Sequence, residues 1–454
     1  MEFNTSLSKN GYSILKEDFS SNYLNDLRKE LTVKAFINKN YLSDSNPFPV
    51  YCESKRKLYL PKFYGIEKFG LPKTNKISEG EDVELEFSSS LKEKQKPISK
   101  AYIDAAKKIG GGIIAIPCGY GKTVIALYIA SVLKKKTLVV VHKEFLLNQW
   151  KERISQFLPD AKIGKIQGNV IKIENYEIVI GMLQSISMRE YPDNTFNSFG
   201  LVIYDECHHL GAEVFSRALL KTQTKYCLGL SATPKRLDGL SKVFEWHLGP
   251  ICFSIKKRTL EKVDVKSILY YDDDQNYSKE ILNYMNKPNS AKMINNICLF
   301  FKRTQLLLQC LFECLEEGRK ILILSDRREH LKILKTELEK NTNYTYGYYL
   351  GGMKEKDLQE TEKKDVILGT FTMASEGFDC KYPLNTIILA SPKSNIEQAV
   401  GRILRQEESK RTKVPLIIDI KDNFSIFVNQ SKKREKLYTK NKYNIVKYAH
   451  INGV

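Results

Sequence analysis

The chain reads as an α/β protein in which two parallel-sheet domains follow one another behind a small N-terminal accessory domain. Three observations predict this. Short β-branched runs recur at Thr137 to Val141, Ile178 to Gly181, Leu201 to Tyr204 and Tyr226 to Leu230, with helical stretches between them. That alternation lays helices on both faces of a parallel sheet. A second series follows at Ile321 to Leu324, Val366 to Leu368, Thr386 to Ala390 and Leu416 to Ile418, interleaved with stretches such as Arg328 to Lys340. Finally, 454 residues at 42% hydrophobic content exceed what one core usually serves and suffice to fill two or three.

In chain order, residues 1–88 read as the accessory module, marked by the aromatic and proline stretch Asn46-Pro47-Phe48-Pro49-Val50-Tyr51 and closed by an acidic piece from Glu79 to Glu86. Residues 89–255 form the first α/β domain. Residues 256–295 read as a linker or insertion, because Asp272-Asp273-Asp274-Gln275-Asn276 breaks a stretch that has little clean period. Residues 296–430 form the second α/β domain and 431–454 a basic tail. In the tail Lys432, Lys433, Arg434, Lys436, Lys440, Lys442 and Lys447 mingle with Tyr438, Tyr443 and Tyr448. Such a mixture can grip a phosphate backbone and stack bases, but a frayed, solvated helix is the plainer expectation.

Lys plus Arg number 72 against 53 Asp plus Glu, a formal charge of +19. An excess of that size suits a polyanionic partner, nucleic acid first, although charge speaks to association and not to fold. Nine scattered cysteines without a C-x-x-C pair point to a reducing compartment and away from structural zinc. The start Met1-Glu2-Phe3-Asn4 lacks a basic-then-apolar leader and no apolar run approaches a membrane span, so the expectation is a soluble, intracellular protein with no membrane partner.

Two segments carry chemistry. After the apolar run ending at Ile116, Pro117-Cys118-Gly119-Tyr120-Gly121-Lys122-Thr123 reads as a phosphate loop. Its glycines let backbone N–H groups face phosphates, Lys122 bridges the outer two, and the Thr123 hydroxyl can ligate Mg²⁺. The strict pattern asks for glycine where Ile116 stands, so a chance glycine turn before a helix is the competing reading. Further on, Asp205-Glu206-Cys207-His208 ends the run Leu201 to Tyr204, which can deliver Asp205 to Mg²⁺ and Glu206 to an attacking water. A strand ending in solvated acids is the alternative there. Ser231-Ala232-Thr233-Pro234 puts two hydroxyls at another strand's carboxyl end, where open α/β sheets bind ligands. Taken together the segments predict hydrolysis of a nucleoside triphosphate with Mg²⁺ as cofactor.

This set of motifs resembles the superfamily 2 DExH-box helicases, with PCGYGKT, DECH and SATP as motifs I, II and III. The resemblance implies tandem RecA-like domains and extends residue by residue. Gln95 resembles the adenine-reading glutamine. Val141 to Trp150 resembles motif Ia and Gly181 to Ser185 the next strand contact, which implies nucleic-acid contacts from His142, Lys143, Gln149, Gln184 and Ser185, with Arg236 and Thr370 added from the segment after motif III and from motif V. His208 with Ser231, Ala232 and Thr233 would couple hydrolysis to motion. Ser325-Asp326-Arg327 resembles motif IV and Glu376-Gly377-Phe378-Asp379 the rest of motif V, with Gly377 and Asp379 toward the nucleotide. Gln398 to Arg405 resembles motif VI, in which Gln398 would meet the terminal phosphate and Arg402 and Arg405 would act as arginine fingers. Those two arginines are spaced by one helical turn, so both can point across one cleft.

Within the superfamily the chain is most similar to the branch that contains the xeroderma pigmentosum B helicase and the poxvirus transcript-release helicase, on Pro117-Cys118, Lys235-Arg236-Leu237-Asp238 and the compact N-terminal module. That branch implies a DNA helicase or double-stranded DNA translocase moving 3′ to 5′ in transcription or repair, beside RNA polymerase or a repair complex. It also suggests a large DNA virus as the source, placing the protein in host cytoplasm or virion, whereas a cellular eukaryotic origin would place it in the nucleus. The alternatives are an RNA helicase, the motor of a nuclease complex, and a nucleic-acid-binding scaffold with a lapsed ATPase. The last is disfavoured by intact Lys122, Asp205, Glu206, Arg402 and Arg405.

Overall fold

A computed structural model describes residues 3–35, 46–117, 119–232, 236, 238–255, 261–340, 344–376, 378, 380, 382–406 and 408–452, with backbone alone for 375–376 and 451–452. Of the residues singled out above, Cys118, Thr233, Gly377 and Asp379 lie outside the described residues. The chain divides into two compact units, Met1–Lys256 and Lys257–Val454.

The first unit is built on an eight-stranded sheet. Its order is Val170–Lys172, Ile163–Gln167, Ile178–Met182, Thr137–Val141, Leu201–Tyr204, Tyr226–Ser231, Gly111–Ala115 and Ile251–Ser254. Every pairing is parallel except the edge pair of Ile163–Gln167 with Val170–Lys172. Its central strands are apolar throughout because both faces are covered. Val139 and Val141 join Ile114, Ile180, Ile203 and Leu230 on one side, while Leu138 and Val140 join Ile113, Val179, Val202 and Tyr204 on the other. Side chains alternate between faces along a strand, so each face draws every second residue.

The accessory module belongs to the same unit. Its five-stranded sheet runs Cys52–Glu53, Lys57–Leu60, Gly11–Leu15, Thr5–Ser8, Thr74–Asn75. Leu7, Tyr12, Ile14, Leu58 and Leu60 make its core, yet Leu240 and Val243 complete it, and they come from the stretch that follows the motif III strand. A second tie is the buried Lys62, whose Nζ donates to the carbonyls of Lys225 at 3.0 Å and Gly110 at 3.2 Å. The module therefore holds the sequence on either side of Tyr226–Ser231.

The second unit has seven parallel strands in the order Tyr346–Tyr349, Val366–Thr370, Ile321–Ser325, Thr386–Leu389, Leu416–Asp422, Asp264–Asp272 and Asn444–Asn452. With the first unit's sheet and the small N-terminal sheet, this is the expected tandem RecA-like architecture with an accessory domain. Two expectations differ from what is found. The stretch read as linker contributes Asp264–Asp272, which pairs with a strand on each side. The tail read as a frayed helix is the helix Ser425–Lys440 followed by a sheet strand. The physical reason is Asp419, buried at 0% exposure, which Arg434 and Tyr438 both satisfy from that helix.

Candidate active site

In the first unit the carboxyl ends of neighbouring strands bring the motifs together. Ser231 is in register with Ala115, and Tyr204 with Gly229 and Val140. The phosphate loop, the DExH box and the motif III serine thus leave the sheet along one edge, the place where parallel α/β sheets bind ligands.

Ile116 is fully buried and its N–H donates to the Ser231 carbonyl at 3.1 Å, so the residue standing where glycine is usual still belongs to the sheet. The loop turns at Gly119 and Gly121, with φ of 88° and 80°, left-handed values that a side chain resists. A Cβ at Gly121 would also strike the Gln95 amide. Past Gly121 the helix Lys122–Leu133 begins, turning its first N–H groups and the positive end of its dipole toward the loop.

Lys122 Nζ donates to Glu206 Oε1 at 3.0 Å, both side chains being nearly enclosed. Asp205 Oδ1 accepts the N–H of Glu206 at 3.0 Å and Oδ2 accepts the indole N–H of Trp150 at 2.8 Å. Glu206 has φ of 47°, a strained backbone for a non-glycine residue and a frequent mark of functional sites. The two carboxylates are held apart electrically. Burial, then the neighbouring Glu206, pushes the Asp205 pKa up. Burial opposes charge on Glu206 as well, but Lys122, His208 and His209 outweigh it and hold its carboxyl below the usual range.

His208 bridges motif II to motif III. Its Nδ1 lies 3.1 Å from Ser231 Oγ and 3.4 Å from Glu206 Oε2, and burial lowers its pKa. Gln95 is buried against the loop, with Nε2 donating to the Tyr120 carbonyl at 3.0 Å and Oε1 accepting from the Lys92 N–H at 3.0 Å. Pro117, Tyr120 and Thr123 are half-buried along the loop, as is Ala232 beyond Ser231.

The expected strand-contact residues fall into two groups. Lys143 and Gln149 are half-buried on and just before the helix Glu144–Phe157, and Ser185 Oγ accepts the Gly168 N–H at 2.9 Å. Gln184 Nε2 donates to the His142 carbonyl at 2.7 Å, linking the two segments directly. His142 itself is 5% exposed and its ring lies 4.0 Å from that of His209. Arg236 donates to both oxygens of Asp238 and to the His208 carbonyl, which engages its guanidinium inside the unit and braces motif II against the chain leading into the accessory module.

In the second unit Arg402 is 7% exposed and its Nε donates to the Ala374 carbonyl at 2.6 Å. The helix Glu397–Val400 ends before either arginine, so Arg402 and Arg405 sit in the turns that follow it rather than one turn apart on a helix. Both line a cavity of about 290 Å³ with Phe378, Cys380, Tyr382 and Leu384. Gln398 and Thr370 are half-buried, and Thr370 Oγ1 accepts from the Met373 N–H at 3.4 Å. Asp326 of motif IV pairs with Lys393 at 3.0 Å. Sequence reasoning passed over Trp150 and His209 as members of the motif II cluster. Trp150 is 55 residues from its partner, a separation with no local signal.

Comparison with known proteins agrees with this geometry. Residues 88–236 match the family model described as the res subunit of type III restriction enzymes, and residues 302–407 match the helicase conserved C-terminal domain. A protein of Acanthamoeba polyphaga mimivirus, provisionally named ATP-dependent RNA helicase L396, is 37% identical over 98% of this chain and 87% of its own length. A provisionally named ATP-dependent RNA helicase of African swine fever virus, QP509L, is 28% identical over 80% of this chain and 75% of its own length. The DNA 3′-5′ translocase XPB2 of Sulfurisphaera tokodaii is 33% identical over 46% of each chain.

Tandem RecA-like units carrying a phosphate loop and a DExH box define a motor ATPase. The chain belongs to the superfamily 2 helicases. It is an ATP-hydrolysing helicase or translocase that acts on nucleic acid, and among the described residues no helix is long and apolar enough to cross a membrane.

Proposed function

We propose that this protein is an ATP-dependent RNA helicase, which reverses the order of preference drawn from motifs alone. The observation that carries this reading is the 37% identity to a relative provisionally named for RNA, sustained over 98% of the chain. Contacts to phosphate oxygens touch neither the base edges nor the sugar 2′-hydroxyl, so they serve either polymer.

In the proposed cycle the loop N–H groups and Lys122 take the outer phosphates of ATP, so Lys122 exchanges its carboxylate partner for phosphate oxygens. Glu206, released from that pairing and still beside His208, accepts a proton from the attacking water. Mg²⁺ is the ion the family implies, and the donors suit it. Thr123 and Asp205 offer hard oxygens, and the buried Asp205 carboxylate has a raised pKa that a cation would offset. When bound, the ion would neutralise charge building up between the outer phosphates. His208 holds Ser231 and Glu206 in one network, a route by which hydrolysis reaches motif III. Arg402 and Arg405 would stabilise charge on the transferring phosphoryl group.

A second reading is a 3′ to 5′ translocase on duplex DNA, working with RNA polymerase or a repair complex as in the xeroderma pigmentosum B branch. It is favoured by the archaeal translocase, though over 46% of the chain. Phosphate release measured with equal nucleotide concentrations of single-stranded RNA, tailed RNA duplex, single-stranded DNA and duplex DNA separates the two. The RNA reading expects the tailed RNA duplex to stimulate most. Greatest stimulation by duplex DNA, with RNA near the unstimulated rate, would overturn it.

A further inference from the structure

We propose that Trp150 is a positioning residue for Asp205, fixing the plane of the carboxylate that would face the metal. The inference rests on the reading of Asp205 as the Mg²⁺-side acid and goes beyond it by naming what orients that acid.

Trp150 sits on the helix Glu144–Phe157, which covers one face of the first unit's sheet, and it is 1% exposed among Val139, Val141, Leu146, Leu147, Ile180 and Met182. Apolar packing alone would be served by phenylalanine or leucine there. What tryptophan adds is a buried N–H, which must find an acceptor. It donates to Asp205 Oδ2 at 2.8 Å, a charge-assisted contact when Asp205 is ionised.

The carboxylate needs such a guide. Asp205 follows the last residue of the strand Leu201–Tyr204, and its backbone is fixed by its N–H donating to the Val140 carbonyl at 3.0 Å. Rotation about the final side-chain bond remains soft in any aspartate. One donor on each oxygen removes that freedom, the Glu206 N–H on Oδ1 and the indole on Oδ2. Each oxygen keeps a second lone pair, so the carboxylate can still ligate an ion or an ion-bound water in a fixed orientation. Outer groups that hold a ligating carboxylate tune metal affinity by about 10- to 100-fold.

The test uses the full chain and a fluorescent ATP analogue titrated at increasing Mg²⁺. In W150F the aromatic volume stays and the donor goes. The Mg²⁺ concentration that half-saturates metal-dependent tightening should rise about 10-fold, while analogue binding in EDTA stays unchanged. A side chain that only filled the core would weaken binding equally with and without Mg²⁺, and either that result or an unchanged Mg²⁺ requirement overturns the proposal. D205N separates its failure from that of the underlying reading: if D205N keeps the native Mg²⁺ dependence, Asp205 is not on the metal side at all. The chain has two tryptophans, so W246F leaves Trp150 as a reporter and covers the case in which W150F folds poorly. Mg²⁺ with ADP should change its emission relative to ADP in EDTA, and D205N should abolish the change. Emission indifferent to Mg²⁺ would overturn the proposal.

Discussion

At the end of the strand Leu416–Asp422 a buried aspartate is met by three donors. Asp422 accepts from Arg303 Nε at 2.6 Å, Arg303 Nη2 at 3.0 Å and the Tyr277 hydroxyl at 2.8 Å, while Arg303 Nη1 reaches the Ala390 carbonyl at 2.7 Å. At the end of Leu201–Tyr204 in the other unit, two adjacent acids share one lysine, and one of them sits on a strained backbone. Both places bury charge. In the first, charge is matched and hydrogen-bonded, which makes it a fastener. In the second, two carboxylates share one lysine, and that imbalance is what a cation would offset.

The largest expected effect lies at the unbalanced site. Lys122→Ala and Glu206→Gln should each lower nucleic-acid-stimulated hydrolysis by about 10³-fold or more. Glu206→Gln keeps side-chain shape and should still bind nucleotide. Phosphate release alongside fluorescent-nucleotide binding checks both statements. A Glu206→Gln protein that hydrolyses within about tenfold of native would remove the acid from the proton-transfer role and erase the contrast with Asp422.

Arg303→Met comes next and should act on stability. Removing one partner from a buried ion pair leaves the other charge stranded, at a cost of about 3–5 kcal/mol, whereas replacing both partners with apolar residues is often close to neutral. Urea denaturation followed by circular dichroism should show a large loss for Arg303→Met and recovery of most of it on adding Asp422→Leu. If the single variant costs under about 1 kcal/mol, the pair is not the fastener its geometry indicates.

The same contrast explains what could be read beforehand. Strands such as Thr137–Val141 and Leu201–Tyr204 announce themselves because both faces are buried and every residue is apolar. The strand Asp264–Asp272 hides, since its polar residues interrupt the run and its partners lie far along the chain at Leu416–Asp422 and Asn444–Asn452. Arg434 looks like one more solvated charge until Asp419 is placed beneath it. At the candidate site, glycine spacing and paired acids were legible because phosphate chemistry demands those residue types locally. Trp150 under Asp205 and the hold of Arg236 on the His208 carbonyl come from tertiary placement, which spacing alone does not encode.

The smallest effect, taken per pH unit, concerns charge that each unit excludes. His247 in the first unit and His330 in the second are 4% and 0% exposed, and burial pushes the pKa of each down to about 3 from an ordinary 6.5, with Arg303 adding to the effect on His330. Below pH 6.5 the unfolded chain takes up a proton that the folded one refuses, so the stability held above 6.5 is lost as pH falls toward 3. The slope is about 1.4 kcal/mol per pH unit for each histidine. His330→Asn should flatten the pH dependence of the second unit's unfolding, and His247→Asn that of the first. The two are separable because Trp150 and Trp246 both lie in the first unit. Tryptophan emission should follow His247→Asn and ignore His330→Asn, whereas circular dichroism should register both. An emission-detected transition that responds to His330→Asn would mean the two units unfold as one, and the contrast between their buried charges could then be read only from activity.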